Sequence, residues 1–265
     1  SGASTVTKLG RIAPTHAVAY LTRDRRNARE SRTEVLLTDA VVDAAAIQAA
    51  FDPHMTAIND DAIKDRNYVL LWVGADGAVG MNATFSKTMT QFIDDTSGAL
   101  HVTWTTRSAA RLDGRLYSTA PIKTMDGTTY TVDLRFAVDV PSPPAGAVLP
   151  AGGGDPGKAL LAFFAAVAAK NWNAIRAASS PAALQIFDKS YNTPQENASD
   201  VADLVDAWIP KQKRVVARGV LSGDSAMLDV EGETFPGMMG LSRVRMVKAG
   251  SVWQFDRAAM AGMLP

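Results

Sequence analysis

The chain has 265 residues, 47% of them apolar and 20% charged, which is enough for one or two folded domains with their own cores. Lys plus Arg equals Asp plus Glu at 27 each, so no net field draws nucleic acid or an anionic membrane. The absence of cysteine excludes disulfides, thiolate nucleophiles, zinc–thiolate sites and iron–sulfur clusters, and no apolar run approaches the roughly 18 residues of a membrane span.

Residues 1–15 are small and polar, and the chain opens on Ser1, Gly2, Ala3 and Ser4 rather than Met. With the missing cysteine, this start points to an exported, periplasmic bacterial protein whose leader has been removed; a cytoplasmic protein is the alternative. Residues 16–22 read as a first strand. The stretch 23–32 then carries five arginines and two acids. Arginine forks suit a phosphate or carboxylate clamp, whereas the interleaved acids suit a solvated hairpin connection with paired charges.

Residues 33–38 read as a strand. A helix follows over about 43–51, with Ile47 and Phe51 one turn apart, and a second restarts at Asp52-Pro53 with Met55, Ile58 and Ile63 facing inward. Residues 68–73 and 79–85 flank Asp76-Gly77 and predict a β-hairpin. Ser86 reads as the N-cap of a short helix carrying Met89, Phe92 and Ile93. Strands are predicted at 100–106 and 114–119. After a turn at 125–128 comes a strict alternation, with Tyr130, Val132, Leu134, Phe136, Val138 and Val140 on one face. The expected fold of residues 1–140 is an antiparallel sheet with two helical segments packed on it.

A seam rich in Pro and Gly follows at 141–154, ending in Gly152-Gly153-Gly154. It reads as a linker between two domains. Asp155 is placed to cap a helix running to about Asn171, with Leu160, Phe163, Phe164 and Val167 as its apolar stripe. Helical segments are predicted at 173–178, from Ser180-Pro181 onward, and at 199–208. Strands are predicted at 214–221, 226–230, 241–248 and 251–256. Helices followed by a meander predict a curved sheet wrapped on the opening helix, so the whole chain is α+β with a second domain at 155–265.

That order, with the stripe Leu160, Phe163, Phe164, Val167 and Trp172 and the closing strands bearing Val244, Met246, Trp253, Phe255 and Asp256, resembles the nuclear-transport-factor-2-like superfamily, also called cystatin-like or SnoaL-like. The resemblance implies a cone-shaped α+β roll. That superfamily hosts isomerases, dehydratases, binding modules and interaction domains, so fold alone does not give activity. Its enzymes often place a carboxylate or a His–Asp pair with a Tyr donor in the cone. Here all three histidines, His16, His54 and His101, precede residue 155. Tyr191 and Asp229 remain as a catalytic alternative, a donor and a base for proton transfer beside a carbonyl or ester. The plainer reading makes Asp229 and Glu231 solvent-facing strand residues.

The histidines show no metal-ligand spacing, and no metal or cofactor is expected. The apolar stretch 235–240 reads as a loop between strands. The expectation is a non-catalytic binding protein that holds a small apolar ligand or another protein through Phe235, Met238, Met239 and Trp253. A homodimer fits that expectation, and a structural assembly module is the further alternative.

Overall fold

The computed structural model describes residues 3–6, 10–25, 27–85, 90–95, 98–123, 129–143 and 145–265. The fold is mixed α+β and mostly antiparallel sheet. The chain divides into two units, Ser1–Thr22 with Glu30–Pro144, and Arg23–Arg29 with Ala145–Pro265.

In the first unit, five strands form one sheet in the order β3-β4-β5-β6-β7: β3 His16–Arg23, β4 Ser31–Thr38, β5 Tyr68–Val73, β6 Val79–Phe85 and β7 Thr90–Asp95. A second sheet runs β2-β1-β11-β9-β8, with β10 on β11: β1 Ala3–Val6, β2 Gly10–Ile12, β8 Leu100–Arg107, β9 Arg111–Ser118, β10 Ile122–Lys123 and β11 Thr129–Asp139. The alternation read in β11 buries Tyr130, Val132, Leu134, Phe136 and Val138 against Val35, Leu37, Val69, Leu71 and Met81 of the other sheet. The unit is therefore a sandwich of two sheets where the sequence suggested one. The missed signal lies in Val35-Leu36-Leu37 and in residues 68–71, continuous apolar runs that mark strands covered on both faces.

The outer face of the β3–β7 sheet, with Val18, Tyr20, Leu36, Tyr68 and Leu70, is covered by Ile47 of helix α1 (Ala44–Ala49), Ala57 of helix α2 (Pro53–Ile58) and Ile63. Asp43 and Asp52 cap those helices by accepting backbone N–H groups of their first turns. Met55, expected inside, is exposed. Residues 90–95, expected in a helix, form a strand paired with β6. Ser86, Met89 and the turn at 125–128 lie outside the described residues.

The second unit contradicts the linker reading of 141–154 in its second half. Ala147–Val148 is strand β12, paired with β13 (Gln212–Ser222), and Ala151–Gly153 is a 3-10 turn. Gly152, Gly153 and Gly154 all take positive φ, at 80°, 77° and 59°. The glycines thus serve a fixed left-handed path that side-chain-bearing residues resist. Gly153, rather than Asp155, occupies the N-cap of helix α3 (Gly154–Ala168). A Cβ on Gly157 would stand 1.8 Å from the Gly152 carbonyl oxygen, so this helix enters through backbone packed on backbone.

Helices α4 (Trp172–Ala177), α5 (Pro181–Phe187) and α6 (Pro194–Trp208) follow, the last beginning with a Thr193–Glu196 capping box. Strands β14 (Ser225–Phe235), β15 (Met238–Ala249) and β16 (Val252–Met263) complete the sheet β12-β13-β14-β15-β16. Ala226, Leu228, Val230, Val244, Met246 and Phe255 face the helices and meet Leu160, Phe163, Val167, Ile175, Val201 and Val205. Phe163 lies flat on Phe255, and Phe187 stacks 5.9 Å from the Phe255 ring.

Candidate functional site

The apolar residues expected in a loop sit at the tip of the β14–β15 hairpin. Phe235 pairs with Met238 just past a bulge at Thr234, so the turn itself is only two residues long. Gly237 takes φ 76°, and its N–H donates to Glu233 Oε1 at 2.7 Å. Glu233 Oε2 also pairs with Lys213 Nζ at 3.0 Å. Gly237 N–H and the Lys213 ammonium together hold the Glu233 carboxyl below its ordinary value. The tip is braced by polar contacts while its apolar side chains stay out: Phe235 is 59% exposed, Met238 50% and Met239 37%.

Met260 joins them. It pairs with Ser242, and its sulfur lies over Gly240, two residues along the same strand face from Met238. The last predicted strand stopped at residue 256, so this methionine escaped notice. Leu264 N–H donates to the Met239 carbonyl at 2.9 Å and ties the chain end to the hairpin. Phe235, Met238 and Met260 thus gather on one face of this end of the sheet, with Met239 next to them on the other, and together they give the end a polarizable, adaptable apolar character.

Trp253 is not part of this group. It pairs with Lys248 near the opposite end of β15, ten residues from Met238, or about 33 Å along a strand. Lys248 Nζ lies 5.9 Å from the centroid of its ring. Tyr191 and Asp229 are not brought together as donor and base. Tyr191 is 81% exposed on the turn between α5 and α6, whereas Asp229 is 4% exposed and points away from the helices. Asp229 is not the solvent-facing residue of the plainer reading either. Its Oδ2 accepts from Arg23 Nη2 at 2.5 Å and from Arg218 Nε at 2.6 Å.

Two further buried carboxylates organise polar clusters. Glu34, fully buried on the outer face of the β3–β7 sheet, accepts from Arg32 on one oxygen and contacts His54 Nδ1 at 2.7 Å on the other. The Tyr20 hydroxyl lies against it without a hydrogen bond of normal geometry, and burial together with the Glu34 charge pushes that phenol far above its ordinary value. Burial pushes the Glu34 carboxyl up, but His54 and Arg32 outweigh it and leave it below its ordinary value. Both Glu34 oxygens are engaged, so this cluster holds structure and offers no free base. In the second unit Asp256 accepts from Ser180 Oγ at 2.8 Å, Arg245 Nε at 2.7 Å and Arg257 Nε at 2.9 Å.

The first unit also holds an open apolar cleft of about 660 Å³. Ala17 and Ala19 of the edge strand β3, Ala44, Ala45 and Gln48 of α1, and Val138 line it. Gln48 Oε1 accepts the outward Leu21 N–H at 2.9 Å.

Among the described residues no group of three His, Asp or Glu side chains is placed to hold a metal, and no helix is long and apolar enough to cross a membrane. No protein-family model, curated protein or solved structure matches the chain.

Proposed function

We propose that this chain is a non-catalytic binding protein that grips an apolar segment of another protein with the Phe235–Met238–Met239–Met260 end of its second sheet. The exposure of Phe235, Met238 and Met239 beside a braced two-residue turn, with Met260 near them on β16, carries the reading. A monomer leaving Phe235 and three methionines in water forgoes their burial, and such surfaces commonly mark contacts. Methionine side chains repack around different apolar shapes, which suits recognition of a segment rather than one rigid small molecule.

The second unit is read here as a cone-shaped roll of the nuclear-transport-factor-2-like kind, and the chain as an exported bacterial protein. Helices α3–α6 preceding a four-strand meander support the first of these. The alternative occupant is a small apolar ligand, favoured by the alanine-lined cleft of about 660 Å³ in the first unit.

Selection of displayed peptides on the immobilised full chain tests the proposal. Apolar peptides should emerge whose affinity falls at least about tenfold in the Phe235→Ser, Met238→Ser double variant, with Tm nearly unchanged. Peptides that bind wild type and variant equally would remove the hairpin tip from the function.

A further inference from the structure

The other face of the second sheet carries a different chemistry. Arg218 on β13, Asp229 on β14 and Arg243 on β15 are direct cross-strand neighbours. Their side chains occupy the face opposite the helices. Arg23, from the segment Arg23–Arg29 that belongs to this unit, closes over Asp229. Ala28 and Arg29 of that segment are held in place. Ala28 N–H donates to the Met263 carbonyl at 3.0 Å, and Ala28 is buried with Leu241 and Leu264. The Arg29 guanidinium forks onto Glu231 at 2.9 and 2.6 Å. The Arg29 carbonyl accepts from Arg23 Nη1 at 3.3 Å and Arg218 Nη2 at 3.0 Å.

Among the described residues, the charges around Asp229 do not balance. Arg29 and Glu231 neutralise each other, which leaves Arg23, Arg218 and Arg243 facing one carboxylate. The Arg243 guanidinium makes no hydrogen bond to any described residue, and its nearest carboxylate oxygen is Asp229 Oδ1 at 4.0 Å. The Nε atoms of both Arg23 and Arg243 are shielded from solvent without an acceptor among the described residues. Partly buried guanidiniums are normally matched by acceptors, because an uncompensated charge removed from water is costly. Burial lowers the Arg23 guanidinium to about 10, with Arg243 and Arg218 repelling it against the pull of Asp229. Arg218, with its side chain 44% exposed, leaves a path from solvent.

We infer that Arg23, Arg218 and Arg243 form a binding site for a phosphate group, either inorganic phosphate or the terminal group of a small phosphate monoester. Three guanidiniums less one carboxylate leave two positive charges, matching a phosphate dianion, and planar N–H forks suit its oxygens. Asp229 keeps Arg23 and Arg218 in place while the ligand is absent.

The test is calorimetric titration of the full chain, dialysed into chloride, with inorganic phosphate and separately with glycerol 2-phosphate at matched ionic strength. Saturable binding of either probe, weakened at least about tenfold in Arg243→Gln and unchanged in Arg111→Gln, is expected. The tighter probe identifies free phosphate or the monoester as the source. Arg243→Gln removes an unmatched cation, so it should fold with a Tm in chloride at or above that of wild type. Absence of saturable binding, or equal affinity in wild type and Arg243→Gln, would overturn the site.

Discussion

Phe163 lies flat on Phe255, with ring centroids 4.3 Å apart and planes 5° from parallel. The contact joins α3 to β16, and Phe187 stacks on both rings from α5. Phe255 is fully buried, so Phe255→Ala removes its transfer energy and leaves a cavity among rigid neighbours. A loss of about 3–5 kcal/mol is expected in urea unfolding. Phe235→Ala, at the exposed hairpin tip, should cost under about 0.5 kcal/mol by the same measurement.

Glu34 predicts a pH dependence. Its carboxyl titrates below the ordinary 4.5 when folded. Its contribution is therefore complete above that pH and fades as pH falls through the lower folded value. Glu34→Gln leaves Arg32 without its buried carboxylate and should cost about 3–5 kcal/mol at pH 7. Denaturant titrations from pH 7 downward should show the gap between wild type and variant closing below 4.5. A gap constant across that range would count against an ionised Glu34.

The glycine run makes a paired prediction. Gly157→Ala brings its methyl to 1.8 Å from the Gly152 carbonyl, so backbone must move. The expected cost is about 1–3 kcal/mol. Gly152→Ala meets open space but must hold φ 80°, which costs about 1–2 kcal/mol. Thermal unfolding of both variants checks this, and a Gly157→Ala protein as stable as wild type would contradict the close entry of α3.

Ser180 serves two partners. Its hydroxyl accepts Ala183 N–H at 3.1 Å as the cap of α5 and donates to Asp256 at 2.8 Å. Ser180→Ala should lower stability by about 2–3 kcal/mol, the sum of a lost cap and a lost bond to an ionised group. Ser180→Thr should recover most of it, since the hydroxyl remains.

Local pattern made much of the secondary structure legible. Asp76-Gly77 marked the β5–β6 hairpin, and strict alternation marked β11. Residues 90–95 misled because adjacent Phe92 and Ile93 satisfy a helical stripe as readily as a strand. The glycines at 152–154 suggested freedom, but positive φ and close packing are invisible without the partner backbone. In the candidate site, Phe235, Met238 and Met239 stood out as apolar residues between strands. Met260 did not, because Ala258, Ala259 and Ala261 around it carry no strand signal. Asp229 looked exposed because the residue that closes over it, Arg23, is 206 positions away in the chain. No local spacing encodes such a pair.

The segment Arg23–Arg29 also bears on how the molecule is made. It belongs to the second unit although the first unit flanks it in sequence on both sides. The two halves are thus not beads on a string that a cut in the proline-rich seam would release intact. A fragment beginning at Ala145 would lack Arg23, Ala28 and Arg29 and would leave Leu241 and Leu264 short of their partner. During synthesis, residues 23–29 must wait for β14 and β16, made some two hundred residues later. The second sheet can therefore close on residues 23–29 only after β14 and β16 have been made, through contacts of very high sequence separation.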